Sequence, residues 1–466
     1  MLRKNCFWLI VGLTLVLFLL YMILGALLPF MHMKELQGDV VPYTAFYEEG
    51  DAGRAMIAET NREALELRLS MFEEARERIY ISTFDIREGE STKDIFASLV
   101  AAADRGVEVK LLVDGMYGMI HMKENPLFYA AGAHENIQIQ YYNPPSPLRP
   151  WTINGRMHDK YVLVDDRFLF VGGRNMFDYF IGEYEEGTKG LDREVLVYQT
   201  PGSDKEVIRQ VEDYFHDMWE NPVCKLVFDQ IPKGKRKAAD EQMAFLQSRY
   251  EGLEIRGMDW EKMTVPIKQA AFIHNPTHIY GKEPYVFEQL VELMKHAEDQ
   301  VLIHTPYIVC SDRMYQGLRE VKEAVPDTEI LINSIASGDN ICASADYMRE
   351  KPKVQEIGAD LYEYMGEHST HGKSVAIDDD LSVIGSYNFD NRSTYVDTET
   401  MLVIHSEELN RQLRENLEVL KEDALQVAED GSYIPKEGVE ENVMASGKQG
   451  VIKVLSVIIQ LVRYLV

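Results

Sequence analysis

The chain begins with one long apolar run and then alternates short β-branched stretches with amphipathic helical ones, in an order that occurs twice. Residues Phe7–Phe30 carry no charged side chain; as a helix they measure about 36 Å, enough to cross a bilayer core. A polar stretch leads to about Asp51. Residues 54–78 set Met56, Ile57, Leu65, Leu67, Leu69 and Phe72 among many charges, a spacing that predicts a mainly helical segment. A strand is predicted over 79–84 (IYISTF), an amphipathic helix over 91–103, and a strand over 107–113 after the Asp104-Arg105-Gly106 break. Such a βαβ unit implies parallel pairing. A third strand over 137–142 runs into the proline-rich loop 143–150.

From residue 286 the same order returns: helix over 286–297, strand over 301–305, helix over 313–323, strand over 329–333. Thr83 and Thr305 end corresponding strands, and Gly132-Ala133 before IQIQYY answers Gly358-Ala359 before LYEY. The pattern predicts an α/β protein built by internal duplication. Two similar halves, each a mixed β-sheet flanked by helices, would pack about a pseudo-two-fold axis.

The duplication carries chemistry. Residues 156–175 read RMHDKYVLVDDRFLFVGGRN, and residues 370–388 read THGKSVAIDDDLSVIGSYN. His158, Lys160, Asp165, Gly172 and Asn175 therefore correspond to His371, Lys373, Asp378, Gly385 and Asn388. Ordinary residue frequencies give one His-x-Lys-x4-Asp match about once per ten thousand windows. Two matches with the same tail are not chance.

A phosphodiester is anionic and resists attack, so its cleavage calls for a nucleophile, cations at the phosphoryl oxygens and an acid for the leaving alkoxide. The paired motifs contain all three. A neutral His158 can attack phosphorus, and a protonated His371 can give its proton to the departing alcohol. Lys160 and Lys373 would hold the non-bridging oxygens, joined by Asn175 and Asn388 as neutral donors. Ser386, which has Gly173 as its counterpart, would add a hydroxyl from the second copy only. Asp165 and Asp378 are counted with the catalytic residues of the two motifs and are expected to stabilise the motif turn and neighbouring charges rather than to attack. Glu194 in LDREVLVY and Glu399 in DTETMLVI follow each motif; each is read either as orienting a histidine or as a surface residue.

The pattern resembles the duplicated HKD motif of the phospholipase D superfamily. The wider match, GGRN in one copy and IGSYNFDNRS in the other, is most similar to the bacterial cardiolipin synthase branch. The resemblance covers roughly residues 51–430 and implies a phospholipase D-like unit with the nucleophile in the first motif. It implies phosphatidyl transfer: one phosphatidylglycerol gives its phosphatidyl group to the histidine, glycerol leaves, and the hydroxyl of another lipid takes the group to form cardiolipin. No cofactor and no metal are implied. The expected partners are anionic phospholipids (phosphatidylglycerol and cardiolipin) and the bilayer. Hydrolysis to phosphatidic acid uses the same residues and stays open, with a phospholipase D-like nuclease and a non-enzymatic membrane scaffold behind it.

Charge narrows these choices. A net charge of −28, from 48 basic and 76 acidic residues, argues against broad binding to a phosphate polymer, so no nucleic acid is expected. Cys6, Cys224, Cys310 and Cys342 show no CxxC spacing and are read as structural thiols. Lys233, Lys235, Arg236 and Lys237, in the weakly patterned stretch 224–266, are read as a solvated loop, with anionic headgroups as the alternative partner.

The chain then divides into a transmembrane anchor (1–30), a linker (31–50), a first half (51–264), a second half (265–430), and a linker with an amphipathic segment (431–466). A cleaved signal peptide competes with the anchor, but the run is longer than a normal signal core and no A-x-A-like site follows it. Arg3 and Lys4 before the run place the amino terminus in the cytoplasm and the catalytic body on the extracytoplasmic side of the cell membrane. In 450–466, Lys453, Ser456, Gln460 and Arg463 fall within an arc of about 80° on a helix. This predicts an interfacial helix with Lys453 and Arg463 toward anionic headgroups, with a core helix covering the second half, or a buried strand, as the competing readings.

Overall fold

The computed structural model describes residues 2–444 and 446–466, with side chains from Phe7 onward. Arg3, Lys4 and Cys6, on which the charge bias and one cysteine rest, have side chains outside the described residues. Leu2–Leu27 is one α-helix, continued by a 3-10 turn over Leu28–Phe30. Its apolar run is long enough to cross a membrane; most of it is exposed, and only the end over residues 21–30 meets the body, where Phe30 is buried.

Two large sheets follow, and apart from an extra edge strand, Val265–Pro266, in the first, their strand orders match position by position. The first runs Val265–Pro266, Arg54–Ala58, Glu194–Tyr198, Phe168–Gly172, Tyr161–Val164, Arg78–Thr83, Glu108–Asp114, Ile137–Tyr142, Lys225–Leu226. The second runs Gln269–His274, Thr400–His405, Leu381–Gly385, Ser374–Ile377, Gln300–His304, Asp327–Asn333, Asp360–Tyr364, Ala424–Gln426. In each, three strands are parallel, as a βαβαβ order requires, and the rest are antiparallel. The expected α/β duplication with two mixed sheets is borne out.

The central motif strands are buried on both faces, which is why they read as nearly continuous apolar runs. One face of the first sheet packs under the helices Asn61–Glu74, Glu90–Asp104 and Pro126–Ala133. The second sheet is covered in the same way by Tyr285–Met294, Asp312–Ala324 and Ile341–Gln355. The other two faces meet. Leu163, Val171 and Val195 from one sheet share a core with Ala376, Ile384 and Leu402 from the other, closed by the helices Glu206–Trp219 and Glu407–Glu422.

Several local expectations change. Residues 54–78 are not mainly helical from the start: Arg54–Ala58 is a strand, and Thr60 then caps the helix Asn61–Glu74 through a reciprocal box with Glu63. The weak stretch 224–266 holds the helix Arg236–Glu251, which covers the first half, and Lys235 at its start pairs with Glu124. Val265–Pro266, placed with the second half on sequence, pairs with the first sheet. Gly132 lies inside a helix, whereas Gly358 has a φ of +84°, so these two glycines match in sequence only.

Both linkers are docked. In residues 31–50, Phe46 enters the second core, and Val41 exchanges backbone hydrogen bonds with the Gln289 side chain. The carboxyl-terminal segment forms an α-helix over Ser446–Ile458 and a 3-10 turn over Ile459–Leu465, against Ile341–Gln355. Its polar stripe does not point as expected. Arg463 donates to buried Asp346 at 2.7 and 3.1 Å, and Gln460 to the same carboxylate at 2.9 Å, so these two face the protein; Lys453 is exposed.

Candidate active site

The two motif strands lie at equivalent places in the two sheets, each entered from the end where its histidine sits. Two short parallel contacts cross between the halves there. Met157 bridges to Thr398, and Ser369–Thr370 pairs with Gly190–Leu191. The His158 N–H donates to the Thr398 carbonyl at 3.3 Å, and the His371 N–H to the Leu191 carbonyl at 2.6 Å. Each histidine is thus fixed by the half it does not belong to.

The side chains follow the same rule. His158 Nδ1 lies 2.8 Å from Glu399 Oε1, and His371 Nδ1 lies 2.5 Å from Asp192 Oδ2. With Nδ1 engaged, Nε2 is left as the reactive nitrogen. Phe84 packs edge-on to His158 with ring centroids 4.7 Å apart, and Phe180 lies 4.9 Å from His371.

Glu399 is therefore placed at a histidine, whereas Glu194 is not. Glu194 is buried with Arg68, to which it accepts at 2.8 Å and through a second, shorter bond, and lies 3.3 Å from Arg174. The residue missed on sequence is Asp192. Register shows why: Gly172 faces Glu194 while Gly385 faces Met401, so Glu399 corresponds to Asp192, two residues before Glu194. Counting three back from Val195 and from Leu402 finds both carboxylates, but apolar Met401 lengthens the second run and hides the register.

Ser386 is not turned to a phosphate position. Its hydroxyl donates to Glu399 Oε2, and it accepts the Thr400 N–H at 3.0 Å. The counterpart, Gly173, leaves room for Asp192: a Cβ there would sit 2.5 Å from its Oδ1. Asp165 and Asp378 are also not at the histidines. They lie beyond the far end of the motif strand, seven residues along the chain from each histidine. Both have positive φ, +50° and +46°, and their carboxylates accept three successive backbone N–H groups, of Arg76, Glu77 and Arg78 in one half and of Glu298, Asp299 and Gln300 in the other. They clamp the hairpin turn to the start of the neighbouring strand.

The lysines lie with their histidines. Lys160 Nζ donates to the His158 carbonyl at 2.6 Å and sits 5.0 Å from the Phe84 ring centroid. Lys373 Nζ donates to the His371 carbonyl and lies 2.7 and 3.1 Å from the two ring nitrogens of His371. Asn175 accepts the Asp85 N–H at 3.4 Å. Asn388 donates to Ser393 Oγ at 3.4 Å, and its buried Oδ1 has no partner among the described residues.

Burial and like charges act unequally on this cluster. His158 is pushed well below the usual imidazole range by burial, then by Lys160, Lys373 and His371. His371 is lowered by burial and Lys373, against the opposing pull of Asp192. Burial brings Lys160 down to about 7. Burial alone would raise Asp192, but Lys373 and His371 hold it down at about 2, whereas burial drives Glu399 well above the usual carboxylate range despite Lys160. The second histidine thus faces a firm anion and the first a carboxyl biased toward its neutral form. Among the described residues, no group of three or more His, Cys, Asp or Glu side chains is placed to hold a metal ion.

The family described as cardiolipin synthase, phospholipase D-like domain, matches residues 69–219 and 290–421. Cardiolipin synthase C of Escherichia coli (strain K12) is 28% identical over 406 residues, covering 75% of this chain and 81% of that protein. An uncharacterized protein of Helicobacter pylori (strain ATCC 700392 / 26695) is 24% identical over 440 residues, 86% of each chain. In fold, the chain is similar to the phosphatidylserine synthase of Haemophilus influenzae Rd KW20, with a TM-score of 0.64 at 14% identity over 91% of this chain and 98% of that one.

Proposed function

The chain belongs to the cardiolipin synthase, phospholipase D-like domain family, which makes it a phospholipid phosphatidyltransferase in broad class, and from that premise we propose that it forms cardiolipin from phosphatidylglycerol. The observation that carries the proposal is the cross-bracing of two histidines by carboxylates of opposite bias, Glu399 behind His158 and Asp192 behind His371.

His158, kept neutral, attacks phosphorus through Nε2 and forms a phosphohistidine. His371, paired with anionic Asp192, gives its proton to the leaving glycerol. Lys160 and Lys373 hold the non-bridging oxygens together with the amides of Asn175 and Asn388. A second phosphatidylglycerol then presents a glycerol hydroxyl; His371 takes its proton, the new P–O bond forms and His158 leaves. One phosphodiester replaces another, so the reaction needs no external energy source. The apolar amino-terminal helix would anchor the body to the cell membrane, on the extracytoplasmic side.

The test is lipid mass spectrometry on the purified full chain in phosphatidylglycerol vesicles. Cardiolipin and glycerol in equal amounts are expected; phosphatidic acid as the sole product would replace transfer by hydrolysis.

A further inference from the structure

Two parts of the body gather around the same end of the amino-terminal helix. The first is the proline-rich loop 143–154. The Tyr21 hydroxyl donates to the Leu148 carbonyl at 2.8 Å, the Asn154 amide to the Ala26 carbonyl at 2.8 Å, and Pro150 packs so closely on Gly25 that a Cβ there would lie 2.5 Å from its ring. The second is the carboxyl-terminal segment, whose Tyr464 hydroxyl donates to the Leu27 carbonyl at 3.3 Å.

Both parts turn apolar side chains to the outside. Leu148 and Leu461 are each 80% exposed, and Trp151, Val454, Val457 and Ile458 are exposed beside them. On Ser446–Ile458 the outward Val451, Val454, Val457 and Ile458 fall within an arc of about 120°. The inward side of the segment is tied down by Ile452, Ile459 and the Arg463–Asp346 pair. This is the reverse of a solvated helix, and it leaves an apolar face that no described residue covers.

Helix length decides what covers that face. The Leu148 carbonyl is level with Tyr21, nine residues and about 13 Å before Phe30. If the loop stayed in water, only Phe7 to Tyr21, about 22 Å of helix, would remain to cross a hydrocarbon core of about 30 Å. We infer that loop 143–154 and the outward face of 451–461 seat in the same membrane leaflet on either side of the amino-terminal helix, with Leu148, Trp151, Val454 and Leu461 among acyl chains. The inference rests on the reading of Phe7–Phe30 as a membrane span. The loop suits this place: Pro144, Pro145, Pro147 and Pro150 have no N–H to leave unpaired, and Trp151 has the amphipathic ring found at membrane interfaces.

The seat is tied to the active site through one side chain. Arg392 follows the second motif; it donates to the Asn154 carbonyl at 2.8 Å, to the Leu465 carbonyl at 3.4 Å, and to Asp397 at 2.9 and 3.0 Å. Asp397 stands two residues before Glu399, which holds His158. Both seated parts thus meet at the segment that orients the first histidine.

The test uses the full chain with Cys6 and Cys342 changed to serine, since Cys224 and Cys310 are buried. An environment-sensitive fluorophore is placed on Leu148→Cys, Leu461→Cys, Leu13→Cys in the apolar helix, or Val419→Cys beside Asp379 at the far end of the second motif strand. Vesicles of phosphatidylglycerol and phosphatidylcholine carry spin-labelled acyl chains as quencher. Labels at 148 and 461 are expected to lose at least about half their emission, as at 13, while 419 keeps its own. Quenching at 148 or at 461 no stronger than at 419 overturns the two-sided seat. An unquenched label at 13 overturns the span, and the seat falls with it; quenching at 13 with none at 148 or 461 overturns the seat alone.

Discussion

His158 and His371 occupy matching positions in matching sheets, and each is held by a carboxylate from the opposite half, yet their surroundings are not the same. Behind His371 stands Asp192, a short side chain fitted against a glycine, with Lys373 close by and its pKa held at about 2. Behind His158 stands Glu399, a longer side chain bonded to the Ser386 hydroxyl and raised by burial. A duplicated scaffold supplies symmetry of position, and a few residues around it break the symmetry of charge. Two equal histidines would compete for one role; a histidine kept neutral and one facing a fixed anion divide nucleophile from acid.

The largest difference is expected from the two carboxylates. Asp192→Asn should lower kcat by about 10²- to 10³-fold, and Glu399→Gln by about tenfold, because amide replaces a held anion in one case and, in the other, a carboxyl that burial biases toward its neutral form. The pH profiles should separate as well. Asp192 raises the pKa of His371, and an acid works only while protonated, so Asp192→Asn should move the alkaline limb of kcat to lower pH and Glu399→Gln should leave it in place. Equal losses with equal profiles would mean that the two sites are electrostatically alike.

Exchanging the residues that accommodate the carboxylates gives a smaller contrast. Gly173→Ser drives a side chain into Asp192 and should cost about tenfold to a hundredfold in kcat/KM by displacing His371. Ser386→Gly removes one bond to Glu399 and should cost less than about tenfold. A tolerant Gly173 beside an intolerant Ser386 would reverse the reading of the pair.

The smallest effect on catalysis is expected where the halves are most alike. Asp165→Asn and Asp378→Asn each weaken a clamp of three backbone N–H bonds while keeping a residue type that accepts positive φ. Each should lower stability by about 1–2 kcal/mol in denaturant unfolding, with kcat of the folded enzyme unchanged. A loss of kcat without a loss of stability would return these aspartates to the chemistry.

Much of this was legible in the sequence because it is local. The motif strands, their turns and the βαβ order recur with fixed spacing, and the fold follows from the repeat. Features set by contact between distant segments were not. Arg54–Ala58 reads as the start of a helix because only its pairing with Glu194–Tyr198 makes it a strand. Asp192 gains its place from a histidine 179 residues away, and no local pattern marks that contact. Gln460 and Arg463 form a polar stripe that looks suited to headgroups until Asp346, buried beneath it, turns the stripe inward.

The division of labour between the two histidines is tested most directly with a phosphatidyl ester of p-nitrophenol, whose leaving group needs no proton. In rapid mixing, His371→Ala enzyme is expected to release one equivalent of nitrophenol in a burst and to hold the phosphatidyl group through an alkaline quench, which preserves phosphohistidine, while His158→Ala gives neither burst nor bound lipid. A burst from His158→Ala with none from His371→Ala would contradict the assignment and exchange the roles of the two halves.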